Sequence, residues 1–481
     1  MRLASGGFAL IALCAAGPVL AATQADNPVW APSAKTIVGE LTDVDDMLAP
    51  AAWDEPTCGC DSPPSIHVPL AAELPAEPAC GAAPESTLLS YYVDYDRGFV
   101  LRPFDPRRHP FELKISGWIQ FRHHGFARNE ATWTDSAGVT REIRNRNVFD
   151  VERGRLVFSG FAIDQRLTYF LQLDGDSDGG ETVDFFDYWC AWQFNERINV
   201  QAGKRKVPGS RQWLLTARDT RFVDRPMACD FFRSDRTTGL FAVGPLGETG
   251  RYEAMIGNGY RTANLPPDQS DNRMTFAWSN YWDPRGDYGG TLTDDRGADA
   301  PLWRIGHSMV YSRQEAVSGL PVGESDFIRL TDGTRLTAPG ALAPGTTVSA
   351  FDVFLYGIDA AVKYRGWSAN GEVYCRWLEN LEANAPLPTR SQFQRGWYVE
   401  GGRYLIPRKW DVNVRCSQVL GSQGNATEVA VGMNWFPLDT TKLKVSWDVS
   451  TLDGSPLQNT SSDILVGDDG VLMRTQLQAE L

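Results

Sequence analysis

The chain has 481 residues, a formal net charge of −14, 42% hydrophobic residues and 22% charged ones. That balance excludes a disordered chain, and the acidic surplus excludes nucleic acid as a general partner, because phosphate neutralisation needs a basic surface. Past the N-terminus no run approaches the roughly 18 to 20 apolar residues that a membrane-crossing helix requires. Forty-five glycines, 16 tryptophans and 11% aromatics suit many strands joined by many turns, in one large all-β unit or in two or three smaller domains.

In chain order, the first element is an address. Arg2 precedes the apolar stretch Phe8 to Ala21, which Gly17-Pro18 interrupts and small residues close. This pattern predicts a secretory signal peptide over residues 1–21, cleaved after Ala21 or Ala22. Leu13 before Cys14 excludes a lipoprotein signal. Residues 22–90 hold ten prolines and little periodicity apart from a short amphipathic piece, Ile37 to Leu48, and read as a largely disordered, flexible periplasmic tail. Within it, Cys58-Gly59-Cys60 lacks a second pair or a histidine to complete a tetrahedral metal site. A disulfide from Cys80 to Cys58 or Cys60 is expected instead, and no metal.

From Glu112 the sequence turns to segments of about ten residues with period-two alternation. Leu113, Ile115, Ile119 and Phe121 alternate with Lys114, Ser116, Gln120 and Arg122; near the end, Leu443, Val445, Trp447 and Val449 alternate with Lys444, Ser446 and Asp448. Sixteen such segments start near residues 112, 150, 166, 186, 197, 235, 249, 272, 303, 353, 366, 393, 409, 425, 440 and 470. Their connections mostly alternate between short (Arg365-Gly366, Pro407-Arg408) and long (129–149, 205–234, 314–352, 453–469). Two break the rhythm, a long one near 283–302 and a short one near 421–425. An even number of strands with short turns on one side and long loops on the other predicts an all-β fold, a 16-stranded antiparallel transmembrane β-barrel over residues 91–481. Hydrocarbon tolerates no unpaired backbone groups, so a spanning sheet must close. Trp189, Trp192, Trp397, Trp435 and Phe436 are expected in interfacial girdles.

One stretch departs from the acidic background. Residues 201–226, QAGKRKVPGSRQWLLTARDTRFVDRP, carry seven basic residues (Lys204, Arg205, Lys206, Arg211, Arg218, Arg221, Arg225) against Asp219 and Asp224. Continuing to residue 236 adds Arg233 and Arg236 against Asp230 and Asp235. Asp219 and Asp224 are expected to pair with neighbouring arginines and orient the loop. Lys114, Arg122, Arg153 and Arg155 lie on polar strand faces and are candidate lumen-wall residues. No catalytic set accompanies the five histidines; His123-His124 falls at a strand end and reads as surface. Asp174 to Gly179 resembles part of a calcium loop but lacks the distal glutamate, so it reads as a hairpin loop.

Asp96-Arg97-Gly98-Phe99-Val100-Leu101, Gly117-Trp118-Ile119-Gln120, Arg153 to Gly160 (RGRLVFSG), Leu171 to Asp174 and Gly203 to Pro208 (GKRKVP) form an ordered series. Phe222 to Arg225, Tyr364-Arg365-Gly366, Gly396 to Val399 and Tyr404 to Pro407 extend it. Together these segments resemble the phosphate-selective porins of the O and P type of Gram-negative outer membranes. The resemblance implies a non-enzymatic, cofactor-free homotrimer in outer-membrane lipid that passes small anions, phosphate or polyphosphate, by diffusion. It also implies a third long loop folded into the lumen, which makes the basic stretch the constriction. Arginine suits that role, since its planar fork pairs with phosphate oxygens and keeps its proton. Three alternatives stay open: a general or sugar porin with Trp and Tyr lining the path, a structural anchor contacting the envelope through the 22–90 tail, and a secreted β-rich binding protein.

Overall fold

The computed structural model describes residues 90–177, 183–259, 270–317, 328–438, 440–457 and 462–481. The expected signal peptide, the tail and the Cys58, Cys60 and Cys80 pairing lie outside the described residues. A hairpin of β1 (Tyr91–Tyr95) and β2 (Phe99–Pro103) comes first, turning at Arg97 and Gly98 with positive φ. The long strand β3 (Leu113–Arg128) follows, then a small hairpin of β4 (Thr132–Thr134) and β5 (Thr140–Glu142). Next are β6 (Arg146–Ala162), β7 (Asp164–Gly175), β8 (Val183–Asn195) and β9 (Ile198–Lys206). Two short helices, α1 (Arg211–Leu214) and α2 (Met227–Phe232), lie before β10 (Arg236–Leu246) and β11 (Gly250–Gly257). The chain continues through β12 (Thr275–Trp282), β13 (Leu302–Glu315), β14 (Val348–Tyr364), β15 (Trp367–Ala383) and β16 (Gln392–Ile406). It ends with β17 (Trp410–Gly421), β18 (Gly424–Trp435), β19 (Leu443–Asp453) and β20 (Gly470–Glu480).

Sixteen of these strands, β3 and β6 to β20, pair antiparallel with their neighbours in sequence, and β20 pairs back onto β3 from Glu480↔Trp118 to Gly470↔Arg128. The sheet is therefore a closed barrel without a free edge. Each strand starts within five residues of its sequence-based position. The β1–β2 hairpin is an addition: β2 joins β3 over Phe99↔Ile115 to Leu101↔Leu113, taking over as neighbour where β20 ends.

Burial along each strand is inverted relative to a water-soluble sheet. On β17, Asp411, Asn413, Arg415 and Ser417 are buried, Arg415 to 2% exposure, while Val414 is 61% exposed. A soluble sandwich hides its apolar face and wets its polar one. Polar residues buried inside and valines bare outside fit a wall between a polar interior and hydrocarbon. Aromatics mark both rims. Trp282, Trp303, Trp367 and Trp435 are exposed at strand ends beside the connections 283–301, 365–366 and 436–442, and Phe149, Phe276, Tyr311 and Phe393 beside those at 129–145, 258–274, 316–347 and 384–391. Trp189 does not join a girdle. It faces inward and stacks on Phe170 at 5.3 Å, because a bulge between Gln172 and Leu173 re-aims β8. Phe436 is buried beside Tyr404.

The two breaks in loop rhythm are real and their parity is now assigned. The 283–301 connection sits on the short-turn side, and the two-residue connection 422–423 on the long-loop side. Segment 207–235 is buried over most of its length and bonds to inward-facing groups of many strands. Met227 and Ala228 donate backbone N–H bonds to Glu428 of β18 and Ser417 of β17, Val223 donates to Asp448 of β19, and Arg376 of β15 donates to the Phe231 carbonyl. Phe232 stacks on Tyr374 at 5.2 Å, over Gly396 of β16, where a side chain would collide with its ring.

Candidate functional site

The basic stretch divides between strand and loop. Lys204, Arg205 and Lys206 end β9 and Arg236 begins β10, with Arg236 paired to Lys206 across the ladder. The loop proper carries Arg211, Arg218, Arg221, Arg225 and Arg233. Four of the nine predicted cations converge on one residue that sequence reading did not single out. Lys206, Arg225, Arg233 and Arg236 all lie within 6 Å of the buried Trp213 ring, at 4.8, 5.0, 5.3 and 5.7 Å. Two of them also satisfy carbonyls that the short helix α1 leaves open at its C-terminal end. Lys206 donates to Trp213 O and Leu215 O, and Arg225 to Gln212 O and Leu215 O. Cations suit that end of a helix. No local sequence signal marks Trp213, since an indole among basic residues is equally at home on a surface.

The other cations have separate partners. Arg236 holds Asp187 through two bonds of 2.8 and 2.9 Å, Arg205 meets Glu253 at 2.7 Å, and Arg233 lies 3.5 Å from Asp230. Arg218 reaches Glu480 at 3.1 Å, and Lys204 donates to the Phe185 carbonyl. Arg211 lies 3.9 Å from Asp359 and over the Tyr281 ring. Arg221 differs. It is 1% exposed and donates to Ser368, Asn370 and Asn413 side-chain oxygens and to the Leu292 carbonyl, at 3.0 to 3.2 Å. Its Nε has no acceptor, and among the described residues no carboxylate lies within ion-pair distance of it, although the buried Asp411 is near enough to interact with its charge. Leu292 belongs to the 283–301 segment, so Arg221 ties that connection to β15 and β17.

The lumen-wall candidates are inward-facing, but three are neutralised. Arg122 and Arg153 both bind Asp224 Oδ2 at 3.0 Å, and Arg155 meets Asp174 at 2.6 Å. Asp224 therefore serves strand arginines through Oδ2, while its Oδ1 accepts the backbone N–H of the loop neighbour Arg225 at 2.8 Å. Asp174 is committed to Arg155, and residues 178–179 of the calcium-like stretch lie outside the described residues. Lys114, at the turn end of β3, lies 3.7 Å from Asp96 of the N-terminal hairpin. A bulge opposite Gln120 and Phe121 turns both Glu152 and Arg153 inward, which strict alternation cannot foresee. His123 is half-buried with Nε2 2.7 Å from Asn147. His124 is not a surface residue: it is buried beside Asp150 and Asp463.

A closed 16-stranded barrel with a bare apolar exterior, aromatic rims and a polar interior defines a porin-type barrel, whose compartment is the outer membrane. Within it, residues 127–261 match the family model of the phosphate-selective porins O and P, a transport class without catalytic chemistry. No curated protein is matched by the sequence. Among solved structures, the anion-selective porin from Comamonas acidovorans is 11% identical, with 77% of this chain and 99% of that one covered at a TM-score of 0.50. OmpT of Vibrio cholerae is 13% identical over 77% and 98% at 0.48, and OprB of Pseudomonas putida 9% over 77% and 94% at 0.46.

Proposed function

We propose that the barrel passes small anions by diffusion and that segment 207–235, bound to the inner wall, narrows the path and sets the preference. The observation that carries this reading is Arg221, a buried guanidinium held by four neutral oxygens and by no carboxylate among the described residues. An ion-paired arginine presents little field, whereas an unpaired one in a low-dielectric wall attracts a passing anion, and neutral oxygens release it readily. The anion-selective porin from Comamonas acidovorans has the same fold and supports the reading as an analogy. Both terminal nitrogens of Arg221 are occupied by wall oxygens, so its part is to supply a positive field along the path rather than to grip the anion.

The test is the reversal potential of the reconstituted channel under a KCl gradient. It should take the sign of chloride, and Arg221→Ala should move it toward the potassium equilibrium. The triple change of Arg218, Arg221 and Arg225 to Ala should move it further. Added phosphate should reduce single-channel chloride conductance in the wild type and less so in Arg221→Ala. A second reading, a weakly selective general porin, is favoured by the neutralisation of Arg122, Arg153, Arg155, Arg205 and Arg236 by carboxylates. It predicts a potential near zero that Arg221→Ala leaves unchanged.

A further inference from the structure

We propose that His124, Asp150 and Asp463 form a binding site for one divalent cation of the zinc type. His124 projects inward near the loop end of β3, and Asp150 lies on the adjacent strand β6, opposite Arg122. Asp463 arrives from the connection between β19 and β20, with a φ of 61°. The three are 8, 6 and 4% exposed. His124 Nδ1 lies 3.0 Å from Asp463 Oδ1 and 3.5 Å from Asp150 Oδ2, and the three ligand atoms fall within 4.8 Å of one another.

Three observations carry the inference. The first is unmet bonding. His124 Nδ1, Asp150 Oδ1 and Asp463 Oδ1 are buried without an aligned hydrogen-bond partner, a state that costs free energy unless something fills it. The second is spacing. Bonds of about 2.0 to 2.2 Å in a tetrahedral shell place ligand atoms roughly 3.3 to 3.6 Å apart, so the 3.5 Å separation, to the other Asp150 oxygen Oδ2, fits and the 3.0 Å one needs only a small opening. The third is charge. The connected ion pairs join Asp150, Glu152, Asp224 and Asp463 to Arg122 and Arg153, four carboxylates to two arginines. Arg225 and the Arg474–Asp448 pair also face Asp224 and Asp463, so with His124 neutral the neighbourhood keeps a net negative charge that favours a cation.

One imidazole nitrogen and two carboxylate oxygens suit zinc and its neighbours better than calcium or magnesium, which prefer oxygen alone. Arg122 takes Asp463 Oδ2 at 3.0 Å and leaves Oδ1 turned toward His124, the orienting role that outer partners play at metal sites. Water fills the fourth position. The bound cation fastens the β19–β20 connection to the β3–β6 wall beside Asp224, and so beside the segment that narrows the path.

The test uses the full chain, folded in detergent and stripped with chelator, titrated with Zn²⁺ by calorimetry and with Co²⁺ by visible absorption. One saturable equivalent is expected, weakened by about tenfold or more in His124→Gln and Asp463→Asn and unchanged in His123→Gln. Heat-modifiable gel migration reports whether each variant folds. For any variant that does not, X-ray absorption of the wild-type zinc complex decides in its place, with one imidazole nitrogen among oxygens expected. No saturable binding, variants that bind as the wild type does, a sulfur ligand, or two imidazoles would each overturn the proposal. In that case His124 and the two carboxylates form a protonated ion-pair cluster.

Discussion

Asp224 holds the basic segment where it is. Its carboxylate receives Arg122 from β3 and Arg153 from β6 at 3.0 Å each, and its backbone carbonyl receives Arg415 from β17 at 2.7 Å. Burial works against its ionisation, but Arg153 and Arg122 win and hold its carboxyl well below the ordinary value of 3.8. A carboxylate depressed on folding stabilises fully above its unfolded pKa and loses that contribution only as pH falls through the lower, folded value. Channel noise should therefore be the same at pH 7 and at about pH 5, and rise only once the pH is well under the unfolded carboxylate value. Asp224→Asn keeps the shape but removes the carboxylate that Arg122 and Arg153 share, leaving them Glu152 and Asp463, and should cost about 1 to 3 kcal/mol. Chemical unfolding checks the loss, and single-channel noise checks the loosened segment. Arg221 is the contrasting residue, since its partners are neutral and its removal should change selectivity more than stability.

Strands and loops differ in how far sequence reveals them. A barrel strand imposes period two on every residue, so Asp411, Asn413, Arg415 and Ser417 announce their shared face without reference to any partner. The 207–235 segment has no period. Its position depends on contacts such as Arg122 to Asp224, 102 residues apart, that nothing local encodes. The bulge beside Glu152 and the inward turn of Trp189 are likewise set by neighbouring strands. For the same reason the basic surplus of the segment was plain in sequence, while its division into paired cations, a Trp213 cluster and Arg221 was not. What the segment requires of the wall is room. Gly432 of β18 faces inward under Phe222, whose ring atoms would lie 3.0 Å from an added Cβ. Gly432→Val should push Phe222 off the wall at a cost of about 1 to 3 kcal/mol, read as a lower unfolding midpoint. Gly401→Ala, where the nearest atom lies at 3.3 Å, is the milder control.

At the scale of the whole barrel, one alternation serves two solvents, and adjacent residues on one strand obey opposite rules. Trp303 and Tyr311 of β13 mark the two rims. Eight residues at about 3.4 Å each, tilted by about 40°, span roughly 20 Å of the normal, close to the apolar band of an outer-membrane barrel. Val414 lies four residues from Trp410 at the turn rim, which places it near the middle of that band. Its neighbour Arg415 is ion-paired inside to Glu400 and Glu428. The same side-chain type should therefore be required at one position and excluded at the next. Val414→Arg should destabilise the barrel by about 2 to 4 kcal/mol when unfolding is followed in phospholipid vesicles, and Val414→Leu by far less. A water-exposed wall would accept both, because a surface arginine changes stability by only about half a kcal/mol. Equal stability of the two variants would thus contradict the inverted burial on which the membrane assignment rests.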